Sequence, residues 1–163
     1  MKPTLTAAAV AALVAIALPA VAQNAGQIAR VRGGASCAGC NLFQAGLSGL
    51  EASGLNLSGA RLRQADLSVS VMNRTRFANA DLRDVEAYGG VFSSSNFSGA
   101  NLTNASFVGA YLDGAAFGGA TLVGANFSGA SMQRATGLTQ ARLNQACGDE
   151  ATRLPGNLSI PRC

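Results

Sequence analysis

From Ala35 to Ala135 the chain counts in fives. Most positions in that register hold alanine, as at Ala45, Ala60, Ala65 and Ala80, and then at every fifth residue from Ala100 to Ala130. Two residues later comes a large apolar side chain in nearly every unit, among them Leu42, Leu47, Leu57, Leu62, Leu67, Met72 and Leu82. Six of the seven phenylalanines, all but Phe43, occupy this one position. A period of five matches neither the 3.6 of a helix nor the 2 of a plain strand. Within a unit, however, alanine and the large residue are two apart, so in a short extended stretch they face the same way. Two residues beyond the large one the chain favours glycine, as at Gly49, Gly99 and Gly109, with Asn79 and Asn104 standing in. These residue types accept the positive φ that a tight corner needs. Each unit is therefore a very short strand and a corner. It cannot bury its apolar side alone and must stack on copies of itself.

The units Ala65-Asp66-Leu67, Ala80-Asp81-Leu82, Ala100-Asn101-Leu102 and Ala125-Asn126-Phe127 spell A(D/N)LXX. Over residues 37–136 the chain resembles the pentapeptide-repeat family. The resemblance implies an all-β fold, a right-handed quadrilateral parallel β-helix with four pentapeptides per coil. Aligning residues twenty apart fits that implication. One face becomes the ladder Leu42, Leu62, Leu82, Leu102, Leu122, and another becomes Leu57, Phe77, Phe97, Phe117, a stack of the kind offset rings favour. Where the large position is small, the same unit compensates: Ala52 follows Leu50, and Ala87 follows Val85, as close packing requires. At about 4.8 Å per coil, five coils make a rod roughly 24 Å long.

Four segments follow. Residues 1–22 read as a signal peptide: Lys2, an apolar run from Leu5 to Leu18, then Pro19 and Ala20-Val21-Ala22, with Gln23 the expected mature start. The run is short for a membrane span, so the expected location is periplasmic or secreted, with no span after cleavage. Residues 23–36 form a lead-in with no obvious cap, an end that invites pairing with another copy. Residues 37–136 are the repeat. Residues 137–163 are a tail with a short C-terminal capping helix over Leu138–Cys147, capped by Thr139, stopped by Gly148 and buried through Ala141, Leu143 and Ala146. Such a helix covers the edge that an open β-helix exposes.

The four cysteines sit in two pairs at opposite ends of the proposed rod. A disulfide needs Cα atoms within about 7 Å, so only Cys37–Cys40 with Cys147–Cys163 survives among the three connectivities. Cys37 and Cys40 take the first and last positions of one corner turn. Their Cys-Ala-Gly-Cys spacing lacks the following histidine of a haem attachment site, since position 41 is Asn41, and lacks a thioredoxin-like setting.

The composition disfavours enzymes. There is no His in the chain and only 12% of residues are charged, which removes Ser-His-Asp triads, Cys-His pairs and His-containing metal sites. No catalytic residue, metal ligand or cofactor is expected. Function falls to the outward positions. Arg61, Arg63, Arg74, Arg76 and Arg83 share a band with Asp66, Asp81, Asp84 and Glu86, and stacking sets Arg61 over Asp81 as a surface ion pair. Asp66 and Glu86 also stack, on a wall without a pocket. From Ala87 to Gln133 Asp113 is the only charge, leaving a nearly neutral polar wall. A candidate apolar strip combines the column Val71, Val91, Tyr111 with Tyr88 and Val108 across the adjacent corner, the kind of surface that marks a partner.

These features favour an exported, non-enzymatic scaffold that binds a protein partner or itself. The family resemblance also implies an alternative, a DNA-mimicking binder of type II topoisomerase. This chain lacks the regular acidic columns that such mimicry needs, and its formal charge of +4, carried almost wholly by Arg, is weak support for nucleic-acid binding. A further alternative is a cell-envelope polysaccharide-binding protein using the neutral wall.

Overall fold

The computed structural model describes residues 23–163; the signal peptide expected over 1–22 lies outside the described residues. Parallel bridges join residues twenty apart without interruption, from Asn41↔Arg61 to Ala116↔Thr136. The chain therefore winds as a parallel β-helix with four sides per turn. We number the sides by their large inward residues. Face 1 carries Leu42 to Leu122, face 2 Leu47 to Phe127, face 3 Ala52 to Met132, and face 4 Leu57, Phe77, Phe97 and Phe117.

The repeat motif has a direct hydrogen-bonding rationale. At most corners the N–H of the alanine position donates to the carbonyl of the large residue three back, as from Ala65 to Leu62 at 2.9 Å. Except at Arg134 in the last corner, the third residue of the turn has positive φ, whether glycine or one of eight other residues, the conformation a type II turn requires. The Asp or Asn before the large residue then closes the corner from outside. Asn96 Oδ1 accepts the N–H of Ser98 at 2.8 Å, and Asn126 that of Ser128 at 2.9 Å. A short polar side chain that satisfies a backbone N–H two residues on is what Asx turns supply.

Inside, the alanines and large residues of the repeat are almost completely buried. Phe77, Phe97 and Phe117 stack on face 4 with ring centroids 5.0 and 5.3 Å apart. Phe107 and Phe127 stack on face 2 at 5.6 Å. Phe92 meets Phe77, Phe97 and Phe107 edge-on. Gly90 makes that possible, because a Cβ there would lie 2.5 Å from the Phe92 ring. Of the two compensating residues, Val85 is buried and Leu50 half-buried. Ser70, Thr75 and Ser95 replace apolar residues in the core; Ser70 and Ser95 send their hydroxyls to backbone carbonyls.

Both ends depart from expectation. The lead-in does contain a cap: helix α1, Ala25–Arg32, starts at Asn24, whose side chain accepts the N–H of Gln27, and buries Ile28 and Val31. Its polar side chains finish the edge of the first coil. Gln27 Oε1 accepts the N–H of Asn41 at 2.6 Å, and Arg32 donates twice to the carbonyl of Gly46. The open end that invited self-pairing is thus covered.

At the other end, helix α2 spans only Gln140–Leu143, capped by Thr139 and ending at Asn144 rather than Gly148. Leu143 and Ala146 are buried, but Ala141 is exposed. The chain then rejoins the stack, with Cys147 bridging to Asn126 and Arg153 to Ser131. Offsets of 21 and 22 replace the regular twenty, so the tail adds a partial sixth coil. The cysteines pair as Cys37–Cys40 and Cys147–Cys163, with Cα separations of 5.5 and 4.8 Å. Closing the 16-residue tail loop stabilises by about 3 kcal/mol on chain-entropy grounds. Among the described residues no helix is long and apolar enough to cross a membrane.

Candidate interaction surface

Outward residues fall into columns, because every coil repeats the same geometry. Val71, Val91 and Tyr111 are joined by successive bridges on face 3. Tyr88 and Val108 stand one coil apart on face 2, beyond the shared corner. Tyr88 and Tyr111 are 58% and 56% exposed, while Val71, Val91 and Val108 are half-buried. The two rings therefore project from a valine floor.

The structure adds a residue that the sequence pattern did not single out. Val69 occupies the corner between these columns, is 55% exposed and has φ +51°. A β-branched residue in that region is a conformational outlier. Its signal was readable, since every other corner of the repeat carries glycine or an unbranched residue at the equivalent position. Strained backbone of this kind persists where the surroundings over-determine it, often at functional surfaces.

Beside Tyr111 on face 3 lies Asp113. Its Oδ1 is buried and has no hydrogen-bond partner, and its Oδ2 is 3.9 Å from Arg134, a residue whose own side chain is 80% exposed. The strip thus borders a weakly compensated carboxylate.

The charged band is arranged differently from the stacking expectation. Arg61 and Asp81 are bridged through their backbones, yet the Asp81 carboxylate is held by Arg83, at 2.7 Å to Nε and 2.6 Å to Nη2. Residues two apart on a strand face the same way, and the planar guanidinium fork meets both oxygens. These bonds hold the Asp81 carboxyl below its usual range and raise the Arg83 guanidinium. Arg63 meets Asp84 at 3.5 Å. Asp66 and Glu86 do stack, both exposed. No acidic column runs longer than these two residues among the bridged positions. Within the described residues no cluster of His, Cys, Asp or Glu has metal-binding proximity.

At the C-terminal edge Asp149 accepts the N–H of Gly129 at 2.8 Å, the hydroxyl of Thr152 and the N–H of Ala151. These donors, Gly129 first, lower its carboxyl from the ordinary value. This arrangement seals the last coil.

The same repeat occurs in known proteins. The family model for pentapeptide repeats (8 copies) matches residues 53–86, 95–134 and 107–147. The chain belongs to the pentapeptide-repeat family, whose members fold as right-handed quadrilateral β-helices. Among solved structures, it is similar to a trypsin-treated form of QnrB1, a plasmid-mediated fluoroquinolone resistance protein. The identity is 22% over 66% of this chain and 65% of that one, with a TM-score of 0.46. It is also similar to a pentapeptide repeat protein from the Arabidopsis thaliana thylakoid lumen, at 28% identity over 60% of this chain and 68% of that one, TM-score 0.40. HetL from the cyanobacterium Nostoc sp. strain PCC 7120, a pentapeptide repeat protein involved in heterocyst differentiation regulation, is 26% identical over 72% of this chain and 63% of that one, TM-score 0.36. The chain therefore spans about two thirds of the length of each of these proteins. No curated protein matches it.

Proposed function

We propose that this chain is an exported, non-enzymatic scaffold that binds a protein partner across the corner between faces 2 and 3. The observation that carries this reading is the apolar strip: Val69, Tyr88 and Tyr111 project over half-buried Val71, Val91 and Val108. Exposed aromatic anchors on a rigid, apolar floor are the usual centre of a protein interface. Asp113 at its margin favours a partner that brings a cation next to its apolar side chains. Export is supported by the signal-like segment from Met1 to Ala22 and by two disulfides, which persist in oxidising compartments. The topoisomerase-directed alternative draws no support from the surface, because mimicry of DNA needs extended rows of acidic groups.

The test compares the parent protein with the double substitution Tyr88→Ser, Tyr111→Ser. Affinity capture from the envelope fraction and light-scattering mass are read together. The expected result is loss of a specific partner or of self-association with the melting temperature unchanged. If neither capture nor mass changes, the strip is not the binding surface. Amino-terminal sequencing of the exported protein should begin at Gln23.

A further inference from the structure

A second outward feature lies on face 1, away from the strip. We infer that the cleft lined by Asn41, Phe43, Arg61, Arg63, Asp81 and Arg83 binds the carboxylate of an acidic sugar, with the sugar ring resting on Phe43 and the carboxylate held by Arg61. Phe43 is the one phenylalanine outside the core. It stands at the outward position after Leu42, half-buried, where the repeat has no packing use for a ring. Arg61 is exposed and has neither a salt bridge nor a side-chain hydrogen bond among the described residues. Its neighbour in the next coil, Asp81, has both oxygens engaged by Arg83, and Asp84 faces Arg63. Three guanidinium groups thus meet two carboxylates, and the uncompensated charge rests on Arg61. Asn41 turns its Oδ1 inward to the N–H of Phe43 at 3.3 Å, which leaves its amide donors for a ligand.

The chemistry of the ligand follows from these groups. The cleft holds about 440 Å³, within the range of small-molecule sites, but it is open, so an apolar ligand would gain little from it. A single free guanidinium matches a monoanion, and its fork matches the two oxygens of a carboxylate. A phosphate monoester, with about 1.5 to 2 negative charges, would be under-neutralised. The face of an aromatic ring is electron-rich and attracts the polarised C–H edges of a pyranose. Amide donors then suit its hydroxyls. Together these describe a uronate residue, and they place glycan recognition on the Arg-bearing face rather than on the neutral wall.

The experiment titrates the intact chain with oligogalacturonate, a neutral maltooligosaccharide and glucose 6-phosphate, followed by calorimetry and by NMR of the Arg61 side chain. Oligogalacturonate alone should bind. Arg61→Gln should weaken it about tenfold or more, since a charge-assisted bond contributes roughly 1.5–3 kcal/mol, and Phe43→Ser should weaken it similarly. Arg61→Lys, which keeps the charge without the fork, should fall between. Arg76→Gln, an exposed arginine on face 4, should bind as the parent does. The inference is overturned by absent binding, by equal affinity for the neutral sugar, by tighter binding of the phosphate sugar, or by equal loss in Arg76→Gln.

Discussion

Replacing Val69 by asparagine should make the protein more stable, although it deletes an apolar side chain. Val69 sits at φ +51°, a region that costs an ordinary L-residue about 1–2 kcal/mol, and β-branching places valine at the upper end. Asparagine occupies the same conformation at Asn79 and Asn104. The side chain is more than half exposed, so losing its buried part forfeits about 0.5 kcal/mol of the ~1.5 kcal/mol that full burial gives. The balance is a gain of about 0.5–1 kcal/mol, or a melting temperature raised by about 2 °C at this chain length. The reciprocal variant isolates the backbone contribution. Gly109 lies two coils on in the same column, at φ +67°, and a Cβ added there would meet nothing within 4 Å. Gly109→Val should lose about 1 kcal/mol after the entropy of the unfolded glycine is offset. Reversible thermal unfolding by circular dichroism, with urea titration as a check, reads both. A destabilised Val69→Asn beside an unaffected Gly109→Val would refute the strain argument.

Gly90→Ala would set a methyl 2.5 Å from the Phe92 ring, which its aromatic neighbours hold in place; a loss of about 1–3 kcal/mol is expected. Gly118→Ala, whose Cβ would meet only Ser98 Oγ at 3.7 Å, should be neutral within about 0.5 kcal/mol, and equal effects would contradict the packing account. The Asp81 carboxyl is held low by Arg83, so its contribution is present above the unfolded carboxylate value near ~3.9 and is lost as pH falls through the folded value. Asp81→Asn and Arg83→Gln should therefore flatten the acid limb of the stability curve below about pH 4. Curves parallel to the parent's would exclude that linkage.

The repeating part of the fold was legible because one side-chain position serves one purpose throughout. The column Leu57, Phe77, Phe97, Phe117 is a stack in space for the reason that it is a column in sequence. The cysteine pairing was legible too, since rod length forbids end-to-end bridges. The ends were not. Helix α1 shows only Ile28 and Val31 to the core, includes Gly26 and has no acidic residue in its first turn, so neither periodicity nor charge announces it. Its main work is done by Gln27 and Arg32, polar residues whose backbone targets are fourteen residues away. The tail reads as a longer helix than it forms because its return to the stack abandons the period of five. On the surface, columns were predictable but rotamers were not: Asp81 faces Arg61 across one coil and Arg83 along its own strand, and the bidentate geometry decides for Arg83.

The uniform twenty-residue turn carries a consequence for how such a chain tolerates insertion and deletion. Adding or removing a whole coil between the capped ends would change the length by about 4.8 Å and leave every downstream residue on its original side. Adding a single pentapeptide would rotate everything after it by a quarter turn. An insertion between Gln64 and Ala65, for instance, would carry the valine and tyrosine columns round to the next wall, and would take Asp81 and Arg83 off face 1 while Asn41, Phe43 and Arg61 stayed. Which outward residues share a wall is thus set by a count of residues, in steps of a quarter turn, and not by any contact between them.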